Sequence, residues 1–246
     1  MPSAAVRLHV SGGWGRSGFR GFVPWSRILH GRTIDLGDPS WSEEVMAGET
    51  RHKSRTSDLN PDLLATPFGK ETNWHVITGA PSCGKTTLIG LLADEGFRTV
   101  TEAARQFIEK EMSDGCSIDE MHERGAALQQ RLLDIKLSME DSLLPAAVSF
   151  LDDAVPGSIS WYRLFGLNPN TALSHCFQHR YASVFVLDPL PLELDGIRFE
   201  DDFTGILDEW IEHDYTALGY AVVRVPVMTP EARLRYILER VPHYTT

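Results

Sequence analysis

The sequence predicts a three-layer α/β/α domain on a five-stranded parallel sheet, behind a leader without pattern. Three observations lead there. From Trp74 onward, short apolar runs alternate with longer segments of helical period, and strands separated by helices form a parallel sheet covered on both faces. The first run ends in "GAPSCGKT", a glycine-bounded turn that opens an apolar helix. Residues 1–72, in contrast, are dominated by glycine, serine and charge and carry neither strand nor helical period.

Element by element, "HVITG" is a short buried strand, and "GKTTLIGLLADEG" is a helix closed by Gly96. "FRTVTE" reads as a second strand, with Thr101 placed to cap the helix "EAARQFIEKEM". Ser117 and Glu120 form a capping-box pattern at the start of a long helix running to about Leu144. "AAVSFLDD" is a strand and "GSISWYRLFGL" a helix. "YASVFVLD" is the next strand, and after "PLPLELDGIRFED" comes the helix "FTGILDEWIEHDYTALG". "YAVVRVPV" is the last strand, and "PEARLRYILERV" a helix with proline in its first turn. Domain organisation follows: a leader over 1–72 and one folded domain over 73–246.

Composition narrows the function. The 246 residues carry a formal charge of −11. Residues 1–72 hold nine Lys/Arg against eight Asp/Glu, so the acidity lies in the rest. A domain that acidic is a poor general binder of nucleic acid, and no apolar run is long enough for a membrane helix. Three widely spaced cysteines (Cys83, Cys116 and Cys176) suit a reducing compartment such as the cytoplasm rather than a disulfide framework or a zinc site. The nine histidines show no ligand spacing. Five arginines precede the first acidic residue, Asp35. That bias is shared with organellar transit peptides, but the stretch has no amphipathic stripe. A disordered leader, a start at Met46 and a targeting segment all stay open.

The residues Gly79, Ala80, Pro81, Ser82, Cys83, Gly84, Lys85 and Thr86 fit G-x-x-x-x-G-K-[ST] at every fixed position, with Thr87 next. Glycines let the backbone wrap so that successive N–H groups face phosphate oxygens, and the helix behind adds its positive end. Lys85 is placed for the β- and γ-phosphates and Thr86 for Mg²⁺. Cys83 reads either as a small filler of the loop or as an oxidation-sensitive thiol at a helix start. Asp152, directly after the apolar "VSFL", is delivered to the sheet's C-terminal edge, where open α/β sheets bind ligands. There it serves as a second magnesium residue or as a base. Asp153 should point to the opposite side by strand alternation.

The blocks "ITGAPSCGKTTLI" with "VTEAARQFIE", "FLDDAVPGSISWYRLFGL", "VFVLDPLPLELDGIRFED" and "LGYAVVRVPVMTPEARLRYIL" resemble, in order, those of NadR/Ttd14-type P-loop domains within the nucleotide-kinase branch. The resemblance covers residues 74–240. It implies a sheet order of 2-3-1-4-5 with the P-loop strand central. It also implies ATP and Mg²⁺ as cofactors and transfer of the γ-phosphoryl to a small hydroxyl-bearing, nucleoside-like acceptor. Glu102 and Arg105 match a Glu-x-x-Arg facing the acceptor. Asp195 and Arg198 match an Asp-x-x-Arg of the lid, which makes Arg198 a catalytic candidate beside Lys85 and Asp152. The chain departs from the family's "DRG-x-PD" block, which begins at Asp152, at Asp153, Ala154 and Gly157. An aspartate in place of arginine repels an acceptor phosphate. Asp153 is therefore expected to face an uncharged or cationic acceptor or to pair with Arg198. The same departures also suit a nucleotide-dependent regulatory module without an acceptor. GTP preference stays open, since no N-K-x-D is present, as do the acceptor's identity and the oligomeric state.

Overall fold

A computed structural model describes residues 58–101, 107, 125–190 and 202–241. The order of elements is α1 (Pro61–Leu64), β1 (Lys70–Glu71), β2 (Trp74–Thr78), α2 (Lys85–Asp94), β3 (Arg98–Val100), α3 (Gly125–Asp141), β4 (Ser149–Asp152), α4 (Gly157–Leu164), α5 (Pro169–Leu173), β5 (His179–Arg180), β6 (Ser183–Leu187), α6 (Asp202–Ala217), β7 (Val222–Val225) and α7 (Pro230–Leu238). Five strands form one parallel sheet in the order β3-β4-β2-β6-β7. Counted along the domain this is 2-3-1-4-5, as the resemblance implies, with the P-loop strand β2 in the centre.

Strand alternation sorts the core into two layers. Val76, Leu151, Val184 and Val186 point to one face and pack with Leu133 of α3, Ile159 and Tyr162 of α4, and Ile211 and Tyr215 of α6. Ile77, Phe150, Phe185, Leu187 and Val225 point to the other, against Leu88, Ile89 and Leu92 of α2 and Leu234 and Ile237 of α7. Strands buried on both faces read as continuous apolar runs, which is why β2, β4 and β6 were legible as short hydrophobic stretches. Among the described residues, no helix is long and apolar enough to cross a membrane.

The boundary drawn at residue 72 is corrected by the residues just before it. β1 pairs in parallel with β5, Lys70 opposite His179, and Leu59 is buried in the main core. Asp58 receives two hydrogen bonds from the Arg163 guanidinium, at 2.9 and 3.1 Å. The Asn60 amide donates to Asn170 Oδ1 at 2.7 Å. Residues 58–72 are thus a strap on the domain. They carry no period because their partners, over a hundred positions away, set their conformation. Two further elements, α5 and β5, fill the connection between α4 and β6, which has no strand or helical period of its own. The long helix expected to reach Leu144 ends at Asp141; its expected start at Ser117, and the helix that Thr101 was expected to cap, lie outside the described residues.

Candidate nucleotide site

The phosphate loop forms because three residues adopt left-handed φ: Gly79 at 140°, Ser82 at 63° and Gly84 at 94°. Glycine is required at 79 on a second ground, since a Cβ there would lie 2.9 Å from the Leu187 carbonyl and 3.0 Å from Cys83 Sγ. α2 then starts at Lys85 with no side chain capping its first N–H groups. Those uncapped amides and the helix's positive end present an anion site. Lys85 Nζ donates to the carbonyls of Gly79 at 2.8 Å and Ala80 at 3.0 Å. Thr86 and Thr87 are exposed at the helix mouth, with Ser82 beside them and Pro81 half-buried. Ala80 is fully buried against Leu207 and Trp210 of α6, so one wall of the loop leans on that helix.

Cys83 resolves as the small filler. It is fully buried, and burial pushes its thiol up, the neighbouring Lys85 charge only partly opposing this. A thiol of that kind is not a reactive one.

Asp152 ends β4 opposite Ile77 in the parallel register, one residue short of the loop strand's end. It is buried and close enough to Cys83 for its charge to act on that thiol. Alternation directs Asp152 to the α2 side and Asp153 to the opposite side, as the sequence implies. What Asp153 does there is a correction. Its carboxylate is buried and accepts from Lys136 Nζ of α3 at 2.6 Å and from Thr78 Oγ1 at 3.1 Å, whereas the expected pairing with Arg198 lies outside the described residues. Burial alone would raise the Asp153 carboxyl, but the Lys136 ammonium outweighs it and holds the group below the usual carboxylate range. The negative charge is therefore spent inside the protein, and the repulsion argument for an uncharged acceptor falls with it. Glu102, Arg105, Asp195 and Arg198 lie outside the described residues.

Sequence reasoning missed two cations that shape the site, Lys136 and Arg233. Arg233 of α7 is buried. Its guanidinium donates to the carbonyls of Cys83 at 2.6 Å, Asp188 at 2.9 Å and Pro226 at 2.9 Å. It thereby joins the phosphate loop to the chain leaving β6 and the chain leaving β7. Burial draws its pKa down from the ordinary arginine value. A period-3.6 reading of "PEARLRYIL" puts Arg233 beside the apolar stripe, but only the fold shows that its targets are carbonyls from three loops. A hollow of about 100 Å³ beside it is lined by Gly84, Thr87, Leu88, Leu190, Met228 and Pro230. Arg224 of β7 closes the same sheet edge, bonded to Asp188 and to Asp208 and Glu212 of α6.

Residues 74–233 match the family model described as an AAA domain. The chain belongs to that family. Its fold is also similar to solved NadR structures. One, "NadR protein in complex with NR", is 20% identical with a TM-score of 0.52, over 71% of this chain and 52% of that one. Another, "NadR protein in complex with NAD and AMP-PNP", is 17% identical with a TM-score of 0.51, over 86% of this chain and 58% of that one. The chain spans little more than half of either, so the likeness is one of fold, that of a NadR-like P-loop domain. Among curated proteins, none matches the chain.

Proposed function

We propose that the protein binds Mg²⁺–ATP at this loop and transfers the γ-phosphoryl to a small hydroxyl-bearing acceptor. The observation that carries the reading is one juxtaposition. The phosphate loop runs into the uncapped N-terminus of α2, and the β2–β4 register brings Asp152 to the same sheet edge, where Lys85 and Asp152 both act on Cys83. Oxyanion-binding amides next to a hard oxygen ligand are what a metal–polyphosphate needs. The Thr86 hydroxyl and the Asp152 carboxylate are the hard donors that fit Mg²⁺. When bound, the ion would neutralise charge shared between the β- and γ-phosphates.

In this reading Lys85 exchanges its two loop carbonyls for phosphate oxygens, and Gly79 to Thr87 supply backbone donors around them. The base lies in the hollow between Leu190, Met228 and Pro230, against the Arg233 side. Arg233 keeps the loop shaped through the Cys83 carbonyl. In the same reading Asp152 accepts the acceptor's proton, and Arg198, by the family resemblance, balances charge on the transferred group. One of the NadR structures contains AMP-PNP, which supports a nucleotide in this fold.

A second reading is a nucleotide-dependent regulatory module, which the departures at Asp153 and Gly157 from the resembled family's block also suit. The test covers both. Calorimetry with ATP and GTP establishes the nucleotide, and phosphate release is then followed with and without a panel of nucleosides and vitamins. Consumption of ATP only with one acceptor present supports the kinase. Slow turnover indifferent to every acceptor supports the module, and no binding of either nucleotide overturns both.

A further inference from the structure

Gly157 opens α4, yet its backbone does not ask for glycine. It is not among the residues with left-handed φ, and glycine is a poor helix former. What it supplies is space. A Cβ at 157 would lie 2.2 Å from Asp153 Oδ1, 2.6 Å from Oδ2 and 2.8 Å from Cγ. The Asp153 carboxylate occupies the volume that a side chain at 157 would fill. To reach it, Asp153 adopts a φ of 62°, a conformation that non-glycine residues hold only when their surroundings enforce it.

The surroundings are two buried donors. Lys136 Nζ stands 2.6 Å from Oδ2 and 3.4 Å from the Ala154 carbonyl, and Thr78 Oγ1 stands 3.1 Å from Oδ1. A buried ammonium deprived of its carboxylate is strongly destabilising, so this acid is not optional. Its neighbours in sequence give it a bearing on the site. Thr78 directly precedes Gly79 of the phosphate loop, and Asp152 directly precedes Asp153. One carboxylate therefore pins the last residue before the loop, and the turn that carries Asp152, to α3.

We propose that this place in the fold requires a carboxylate rather than an aspartate at 153. The acid lodged between Lys136, Thr78 and the first turn of α4 is a positioning group for Asp152 and the loop, and residue 157 supplies it when residue 153 does not. The departures at 153 and 157 then become a single change, one acid moved from the end of the turn to its beginning. The link to Mg²⁺ rests on the nucleotide reading above, whereas the exchange of the acid between two positions does not.

The experiment is a double-mutant cycle. Asp153→Gly suits the left-handed φ but strands Lys136, and Gly157→Asp puts two acids in one space. The combination returns one acid. The readouts are the melting temperature and the affinity for a non-hydrolysable ATP analogue with and without Mg²⁺. Each single change is expected to lower the melting temperature by roughly 5 °C or more and to weaken the Mg²⁺-dependent gain in affinity at least about fivefold, while affinity without Mg²⁺ holds. The combined variant is expected to recover both, since residues sharing one contact are not additive. A combined variant that fails to fold, or whose losses simply add, overturns the proposal. Recovery of stability without recovery of the Mg²⁺ response overturns the positioning role. If the parent binds no nucleotide, the functional reading fails instead, and the thermal cycle alone still decides whether 153 and 157 share one acid.

Discussion

Arginines are held in two different ways in this molecule. Beside the phosphate loop, Arg233 rests on three backbone carbonyls, and Lys85 likewise reaches the carbonyls of Gly79 and Ala80. Across the sheet, Arg163 of α4 rests on carboxylates: Asp58 of the strap and the fully buried Asp214 of α6, which also accepts from Ser160 Oγ at 2.7 Å. These acids lift the Arg163 pKa further above its ordinary value, overcoming its burial. A carbonyl satisfies a donor but leaves the charge largely uncancelled. A carboxylate does both. The first region ties its cations to loop backbone, where they set the shape of the loop, and the second is a brace in which one guanidinium joins two carboxylates from distant elements.

The largest effect should come from breaking the brace. Arg163→Met leaves the buried Asp214 without its guanidinium, Ser160 and His213 still beside it, and releases Asp58. We expect a loss of about 3–5 kcal/mol, a fall in melting temperature of roughly 10 °C, and unchanged nucleotide affinity per folded molecule. Denaturant unfolding beside calorimetry checks it, and a loss of affinity at retained stability would show that the brace belongs to the site.

Acid should act next, through a group kept neutral by burial. His75 on β2 stacks on Phe150, bonds Ser183 at 2.6 Å, and is held down to about 4 by burial. Its folded value lies below the unfolded one, so the unfolded chain binds the extra proton first. The His75 contribution is complete above about pH 6.5 and is lost as pH falls toward 4. It amounts to about 3 kcal/mol at most. Stability measured from pH 7 to 4 should decline over that window, and His75→Phe should flatten the decline.

On the loop side the stability effect should be small and the binding effect plain. Lys85→Ala removes the one side-chain cation of "GAPSCGKTT". ATP affinity should drop at least about tenfold, or 1.4 kcal/mol, with the melting temperature nearly unmoved. Equal affinity in titration calorimetry would remove the assignment. The smallest effect is expected from the leader. Deleting 1–57 should shift the melting temperature by no more than a few degrees, whereas deleting 1–72 should cost cooperative unfolding because the strap leaves with it.

Much of this contrast was legible beforehand, and the reason it was not wholly so is physical. The glycines at 79 and 84, Lys85 and Thr86 announce themselves because local backbone chemistry dictates them. Asp152 is readable because alternation and strand length place it. Lys136 and Arg163 sit on helices whose period accounts for them as ordinary surface or flank residues, and Asp58 sits where there is no period at all. Their roles arise only when elements far apart in sequence meet. Asp153 is the instructive case. Its direction was readable from alternation, but its partner was not, and the partner reverses what its charge means for the site.

The strap also bears on how the chain is made. Asp58 and Arg163 are 105 residues apart, and among the described residues β1 pairs with β5 alone. A ribosome adding 5–20 residues per second separates the two by roughly 5–20 s. During that interval Leu59, Phe68 and the β1 edge have emerged without their partners, while β2 and the phosphate loop are already outside. The strap therefore waits on α4 and β5, with β6, α6 and β7 still to follow, and anything that clips or captures the segment before Arg163 appears would leave the domain without its brace.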